Sequence, residues 1–216
     1  MFNKLAIFGT SGFAYEVADV AYALGINDIV LLSNSSDATS SDVRISIVPE
    51  SKVEYLKLKG YRFAIGVGDS NVRKKIYQKN NECIYPNLIH PNATLGYGQY
   101  EAIEKSIGNI ITAGAVFTNN IRVGNFGVYN LNCTVGHDCC IGDYVSIMPS
   151  VNISGNVDVK EGVLIGVGAI ILQGSLEKRV IIGSNSTVGA GSVVTKNVDA
   201  GLTVVGIPAR AIRKKI

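Results

Sequence analysis

A histidine and an aspartate stand side by side at positions 137 and 138, within the run Thr134-Val-Gly-His-Asp-Cys139. A carboxylate bonded to one imidazole nitrogen raises the basicity of the ring and fixes which nitrogen carries the proton. A general base needs both properties. The blander reading is an exposed turn histidine beside a charge, and the pair alone leaves both open. The chain's other histidine, His90, precedes a proline, where capping or packing is the commoner role. Two histidines are too few for a zinc centre built on three imidazoles, so that chemistry is excluded.

A second kind of chemistry is suggested near the N-terminus. Lys4-Leu-Ala-Ile-Phe8 reads as a buried strand, Gly9-Thr-Ser-Gly12 as a tight turn, Ala14 to Leu24 as an amphipathic helix and Ile29 to Leu32 as a second strand. This is a βαβ opening with a glycine turn at a helix N-terminus. A third strand, Phe63 to Val67, is followed by the turn Gly68-Asp-Ser-Asn71 and a cationic helix from Val72 to Lys79. Both turns would share one carboxyl edge of a small parallel sheet, the edge at which open α/β sheets bind ligands. A helix N-terminus there offers free N–H groups to a phosphate, so a nucleotide is the natural guest. The first turn is too short for the dinucleotide fingerprint, and Ser33 and Asn34 rather than an acidic residue end the second strand. A purely structural turn therefore stays open.

The element that must position His137 announces itself by periodicity. Ile111, Phe117, Val123, Tyr129, Val135, Ile141, Ile147, Ile153, Val159, Ile165 and Ile171 stand six apart, a spacing that neither a helix nor a single strand explains. A six-residue period marks a parallel β-helix with three flat faces per round. Four residues after each comes a second column, from Ala115 through Cys133, Cys139 and Val145 to Ser175, small or β-branched almost throughout. Gly124, Gly136, Gly142, Gly166, Gly183 and Gly189 directly follow register residues, where a missing Cβ would ease the bend. The register breaks between Ile171 and Ile182, at the charged excursion Leu176-Glu177-Lys178-Arg179. That excursion is either a solvated loop or a loop over a ligand.

The bulk composition excludes more than it suggests. A net charge of +3 is too weak to imply nucleic acid, and Arg210, Arg213, Lys214 and Lys215 read as a solvated tail. No apolar run is long enough to cross a bilayer and the N-terminus lacks the layout of a signal peptide, so a soluble cytoplasmic protein is expected. Cys83, Cys133, Cys139 and Cys140 show no CxxC spacing and are expected to be buried thiols. Asn-X-Ser/Thr triplets such as Asn132-Cys133-Thr134 carry no message without a secretory signal.

Taken together, the hexapeptide repeat, the Thr134 to Asp138 run, Leu88-Ile-His-Pro91, Gly9-Thr-Ser-Gly12 and the closing Val205-Gly-Ile-Pro-Ala209 resemble one family over nearly the whole chain. It is that of the bacterial hexapeptide-repeat sugar acetyltransferases of the sialic acid O-acetyltransferase type. Its members N-acetylate nucleotide-linked 4-amino-4,6-dideoxy sugars for glycan assembly. The resemblance implies a nucleotide-sugar-binding Rossmann-like domain over residues 1–89. It implies a left-handed parallel β-helix over 90–216, a homotrimer, acetyl-CoA as co-substrate and no metal. His137 would be the base, Asp138 its orienting partner and the N–H of Gly155 the donor to the thioester oxygen. The nucleotide sugar would meet Gly9, Ser11, Gly12, Ser33, Asn34, Gly66, Asp69 and Arg73, with Asn130 near the acceptor. Coenzyme A would meet Gly166, Ala190, Lys196, Pro208 and Arg210. Ser146, where some members carry a histidine that touches acetyl-CoA, joins that set. Phe13 and Ala14 replace the family's usual His-Gly after the opening turn.

Other readings are weaker. A non-catalytic solenoid would not need the α/β domain, and a γ-class carbonic anhydrase would need more histidines. An O-acetyltransferase uses the same His-Asp pair and is the serious alternative.

Overall fold

A computed structural model describes residues 2–35 and 45–212; Arg213, Lys214 and Lys215 of the expected basic tail lie outside that range. The N-terminal part is a four-stranded sheet in the order β3-β2-β1-β4. Its strands are β1 (Lys4–Phe8), β2 (Asp28–Ser33), β3 (Ser46–Pro49) and β4 (Arg62–Ile65), all parallel. Helices α1 (Gly12–Ala23), α2 (Val53–Leu58) and α3 (Ser70–Lys79) connect or follow them. Strands β1 and β2 are buried almost end to end, which is why they read as continuous apolar runs. Strand β3 and helix α2 were not anticipated. The four residues of β3 are partly exposed, lie at the sheet edge and end in Pro49, so they carry little periodic signal. Gly66 lets α1 lie close to the end of β4, because a Cβ there would come within 2.6 Å of Ala14 Cα.

From Leu88 onward the chain visits three parallel sheets in rotation. Successive strands on one side pair eighteen residues apart, Val128 with Ser146 and Ser146 with Leu164. Six residues are therefore one side and three sides one round. The expected register residues point inward: Tyr129, Val135, Ile147, Ile165 and Ile171 are fully buried, as are Cys133, Cys139, Val145 and Val151 of the second column. Ser175 does not follow the pattern, because it has left the column for the exposed excursion. Helix α4 (Gln99–Ile103) takes the place of the third side in the first round. The buried side chain of Gln99 bonds both the N–H and the C=O of Ile121.

The corners correct one expectation. Of the glycines that follow register residues, none has a left-handed φ. Gly136 instead allows neighbouring rounds to approach, since a Cβ there would lie 2.7 Å from Gly155 N. The bend falls two residues later, at left-handed Gly114, Asn120, Phe126, Asn132, Asp138, Tyr144, Ser150 and Asn156, again six apart. Asparagine and aspartate tolerate that conformation best among residues with a Cβ.

Arg73, on α3, ties the two parts together. Its guanidinium is 1% exposed. Nε donates to Phe126 O at 3.1 Å, one Nη to Gly68 O at 2.7 Å, and the other to Tyr144 O at 2.8 Å and Ser146 Oγ at 3.0 Å. Around it, Phe126 stacks on Tyr144 with centroids 5.4 Å apart and packs against Tyr77 and Tyr85. Among the described residues no carboxylate bonds the guanidinium, and burial lowers its pKa to about 10.

Candidate active site

His137 sits at a corner between the strands Thr134–Val135 and Cys140–Ile141. Its ring is 60% exposed, with Nδ1 2.7 Å from Asp138 Oδ2. The other carboxylate oxygen accepts from Asn120 Nδ2 at 2.6 Å, one round earlier. The hydrogen bond from His137, and then that from Asn120, hold the Asp138 carboxyl below the usual carboxylate range. An ionised carboxylate can only accept, so Nδ1 carries a proton, and in the neutral ring the lone pair is therefore on Nε2. Asp138 is itself left-handed, with φ of 61°, and its carbonyl accepts from Arg179.

The ring lies over Gly155 of the next round. A Cβ there would come within 2.6 Å of both Nε2 and Cε1. The carbonyl of Gly155 accepts from Gly174 N at 3.0 Å. Among the described residues its N–H has no hydrogen-bond partner. At two of the equivalent corner positions the N–H is capped, that of Asn125 by Asp143 Oδ1 and that of Leu131 by Asn130 Oδ1, each at 2.7 Å, whereas those of Asp143 and Glu161 are open like that of Gly155. The corner therefore combines a basic nitrogen with an open donor.

On the same corner in later rounds, the excursion walls a groove of about 760 Å³. Gln173, Ser175, Lys178 and Arg179 form one side of it, and Thr195, Lys196 and Asn197 the other. Lys196 also lines a smaller cavity of about 330 Å³ with Arg210, while Pro208 is exposed at the cis Ile207-Pro208 bond.

Not every expected residue gathers here. Asn130, Gly166 and Ala190 lie at a different corner, across the side that contains Thr134–Val135. There a Cβ on Gly166 would lie 2.6 Å from Ala190 N. Within one chain they do not meet His137. Two assignments are corrected outright. Arg73 is not free for a nucleotide, because every arm of its guanidinium is spent on main-chain carbonyls and on Ser146. Ser146 is 1% exposed, accepts from Arg73 and donates to Gly68 O, so it offers coenzyme A no surface.

At the N-terminal sheet, Gly9, Ser11, Gly12, Ser33, Asn34, Gly66 and Asp69 do share the carboxyl edge of β1, β2 and β4. Gly9 takes φ of 111° and donates to Leu32 O, and Gly66 donates to Phe8 O, so the two turns are bound to the sheet. Ser11, the N-cap of α1, makes no side-chain capping bond and is exposed. Asp69 caps α3 by accepting from Val72 N at 2.9 Å, and Ser33 is buried while Asn34 is exposed. Sequence reasoning missed Asn120 and the role of Arg179. Asn120 was discoverable, since it precedes Asp138 by one eighteen-residue round. Among the described residues, no group of His, Cys, Asp and Glu could hold a metal ion, and no helix is long and apolar enough to cross a membrane.

Comparison with known proteins identifies the family. A family profile described as the PglD N-terminal domain matches residues 4–80. GDP-perosamine N-acetyltransferase of Escherichia coli O157:H7 is 35% identical over 228 residues, covering 98% of this chain and 97% of that protein. The acetyltransferase domain of PglB from Neisseria gonorrhoeae superposes with a TM-score of 0.85 at 27% identity, over 98% of this chain and 100% of that one. PerB from Caulobacter crescentus, solved in complex with CoA and GDP-perosamine, gives 0.85 at 25% identity over 99% of both chains. The chain belongs to the sugar acetyltransferases that act on nucleotide-linked amino sugars.

Proposed function

We propose that the protein moves the acetyl group of acetyl-CoA onto the amine of a GDP-linked 4-amino-4,6-dideoxy sugar, with His137 as general base. The observation that carries this reading is the His137-Asp138 pair, with Nδ1 bonded to the carboxylate and Nε2 over the unpartnered N–H of Gly155. The amine nitrogen attacks the thioester carbonyl and its proton passes to Nε2. The carbonyl oxygen becomes an oxyanion facing the Gly155 N–H, a contact that strengthens as charge develops. Collapse of the tetrahedral intermediate expels the thiolate of coenzyme A, which takes the proton back from the imidazolium. Asp138 steadies that imidazolium and keeps the ring in the required tautomer.

The nucleotide is held at the carboxyl edge by Gly9, Ser11, Gly12, Ser33, Asn34, Gly66 and Asp69. The coenzyme runs along the excursion groove toward Lys196 and Arg210, whose cations meet its phosphates. Asn130, Gly166 and Ala190, remote from His137 in one chain, complete the site from a neighbouring copy in a homotrimer of left-handed coils. The E. coli relative and PerB both act on or bind GDP-perosamine, which favours GDP over other nucleotides. The reaction belongs in the cytoplasm, where acetyl-CoA and nucleotide sugars are made.

Incubation with acetyl-CoA and a panel of GDP-, UDP- and dTDP-linked amino sugars tests this, with free thiol as the signal. The expected result is thiol release that requires a 4-amino group and is fastest with GDP. Release only with hydroxyl acceptors would make the protein an O-acetyltransferase. A companion prediction concerns Gly155→Ala, whose methyl would strike the ring of His137. Turnover should fall at least about tenfold, with unchanged circular dichroism; undiminished turnover would show that the ring need not lie there.

A further inference from the structure

Asp138 must do two things at once: occupy a left-handed corner and aim one oxygen at the imidazole. The left-handed conformation costs a residue with a Cβ about 1 kcal/mol. Nothing in Asp138 itself stops its carboxylate from turning away from the ring. The restraint comes from two side chains that the catalytic scheme does not use. Asn120 Nδ2 holds Oδ1 at 2.6 Å from the preceding round, which leaves Oδ2 to face Nδ1 of His137. Arg179, at the end of the excursion, donates to the main-chain carbonyl of Asp138. The same guanidinium is anchored by Asp158, with Nε to Oδ1 at 2.8 Å. Asp158 also pairs with Lys160 at 3.4 Å.

We infer that Asn120 and Arg179 are positioning residues, which fix the carboxylate and the backbone of Asp138 so that His137 presents Nε2 to the acceptor. The inference rests on the reading of His137 as base. The two residues act at different atoms of one residue, Asn120 on the carboxylate and Arg179 on the peptide. Their chain of contacts runs Asp158, Arg179, Asp138, His137, with Asn120 closing it from the other side. Neither side chain bonds the ring.

Asn120→Gly removes the amide at an exposed corner whose φ of 54° suits glycine. Arg179→Lys keeps the charge but cannot fork to Asp158 and Asp138 together. Both are to be made in the full-length protein, with kcat and KM measured for each substrate. Nitrogen-15 NMR of the imidazoles reads the tautomer directly, and His90, the only other histidine, is the internal reference. The expected result in each variant is a kcat lower by about tenfold, with the KM of the sugar within about twofold; in Asn120→Gly, which leaves the coenzyme groove untouched, the KM of acetyl-CoA is likewise within about twofold. In the neutral ring of His137 the tautomer protonated at Nε2 should appear, while His90 is unchanged. A kcat within about twofold of the parent, with the Nδ1-protonated tautomer intact, would overturn the inference. Should Arg179→Lys fail to fold, Asn120→Gly decides alone. His137→Ala run in parallel separates the two claims: normal turnover there defeats the base assignment, and the tautomer measurement still judges the positioning.

Discussion

Replacing His137 by alanine should lower turnover at least about a hundredfold and leave the folded protein intact. The two halves of that expectation have separate causes. The ring is mostly exposed and packs into no core, so its loss opens no cavity. The chemistry, by contrast, needs a group that accepts the amine proton and returns it to the departing thiolate. No other imidazole is near, because His90 lies at the start of the coil with its Nδ1 accepting from Asn92 N. The measurement is steady-state release of free thiol at saturating substrates, with a thermal unfolding curve beside it. Near-normal turnover in a folded variant would remove the base assignment.

Arg73→Met should produce the largest loss of stability, about 3–5 kcal/mol. Methionine keeps much of the aliphatic stem but strips the donors from the carbonyls of Phe126, Gly68 and Tyr144 and from the hydroxyl of Ser146. The acceptors on Phe126, Tyr144 and Ser146 are buried, and an acceptor left unsatisfied in the interior loses its solvation without compensation. Arg73→Lys should be nearly as damaging, since one ammonium cannot reach both α3's own turn and the coil. Urea unfolding reads the effect as a lower midpoint. A change below about 1 kcal/mol would mean that the aromatic cluster of Phe126, Tyr144, Tyr77 and Tyr85 holds the junction unaided.

The same arginine shows where sequence reading stops. The family resemblance placed it among the nucleotide-sugar contacts, just past the turn that ends at Asn71. Its actual partners Phe126 and Tyr144 lie 53 and 71 positions away and are main-chain atoms, which no side-chain pattern advertises. The coil was legible for the opposite reason. Each round places its inward side chains on those of the round beneath, so the packing repeats at a fixed interval and the interval is visible in the letters. The inward register, the excursion and the His137-Asp138 corner could all be read this way. The positions of the bends could not be read from glycine alone, because six of the eight left-handed corners from 114 to 156 are Asn, Asp or even Phe and Tyr. In the N-terminal part, β1 and β2 were visible as buried runs, whereas β3 has too few buried residues to stand out.

The fastening of α3 to the rungs at 126 and 144 also bears on which molecules can react. A hinge at that junction would let a single active corner serve acceptors of many lengths. Bolted as it is, α3 and the sheet it follows keep one setting against those rungs of the coil.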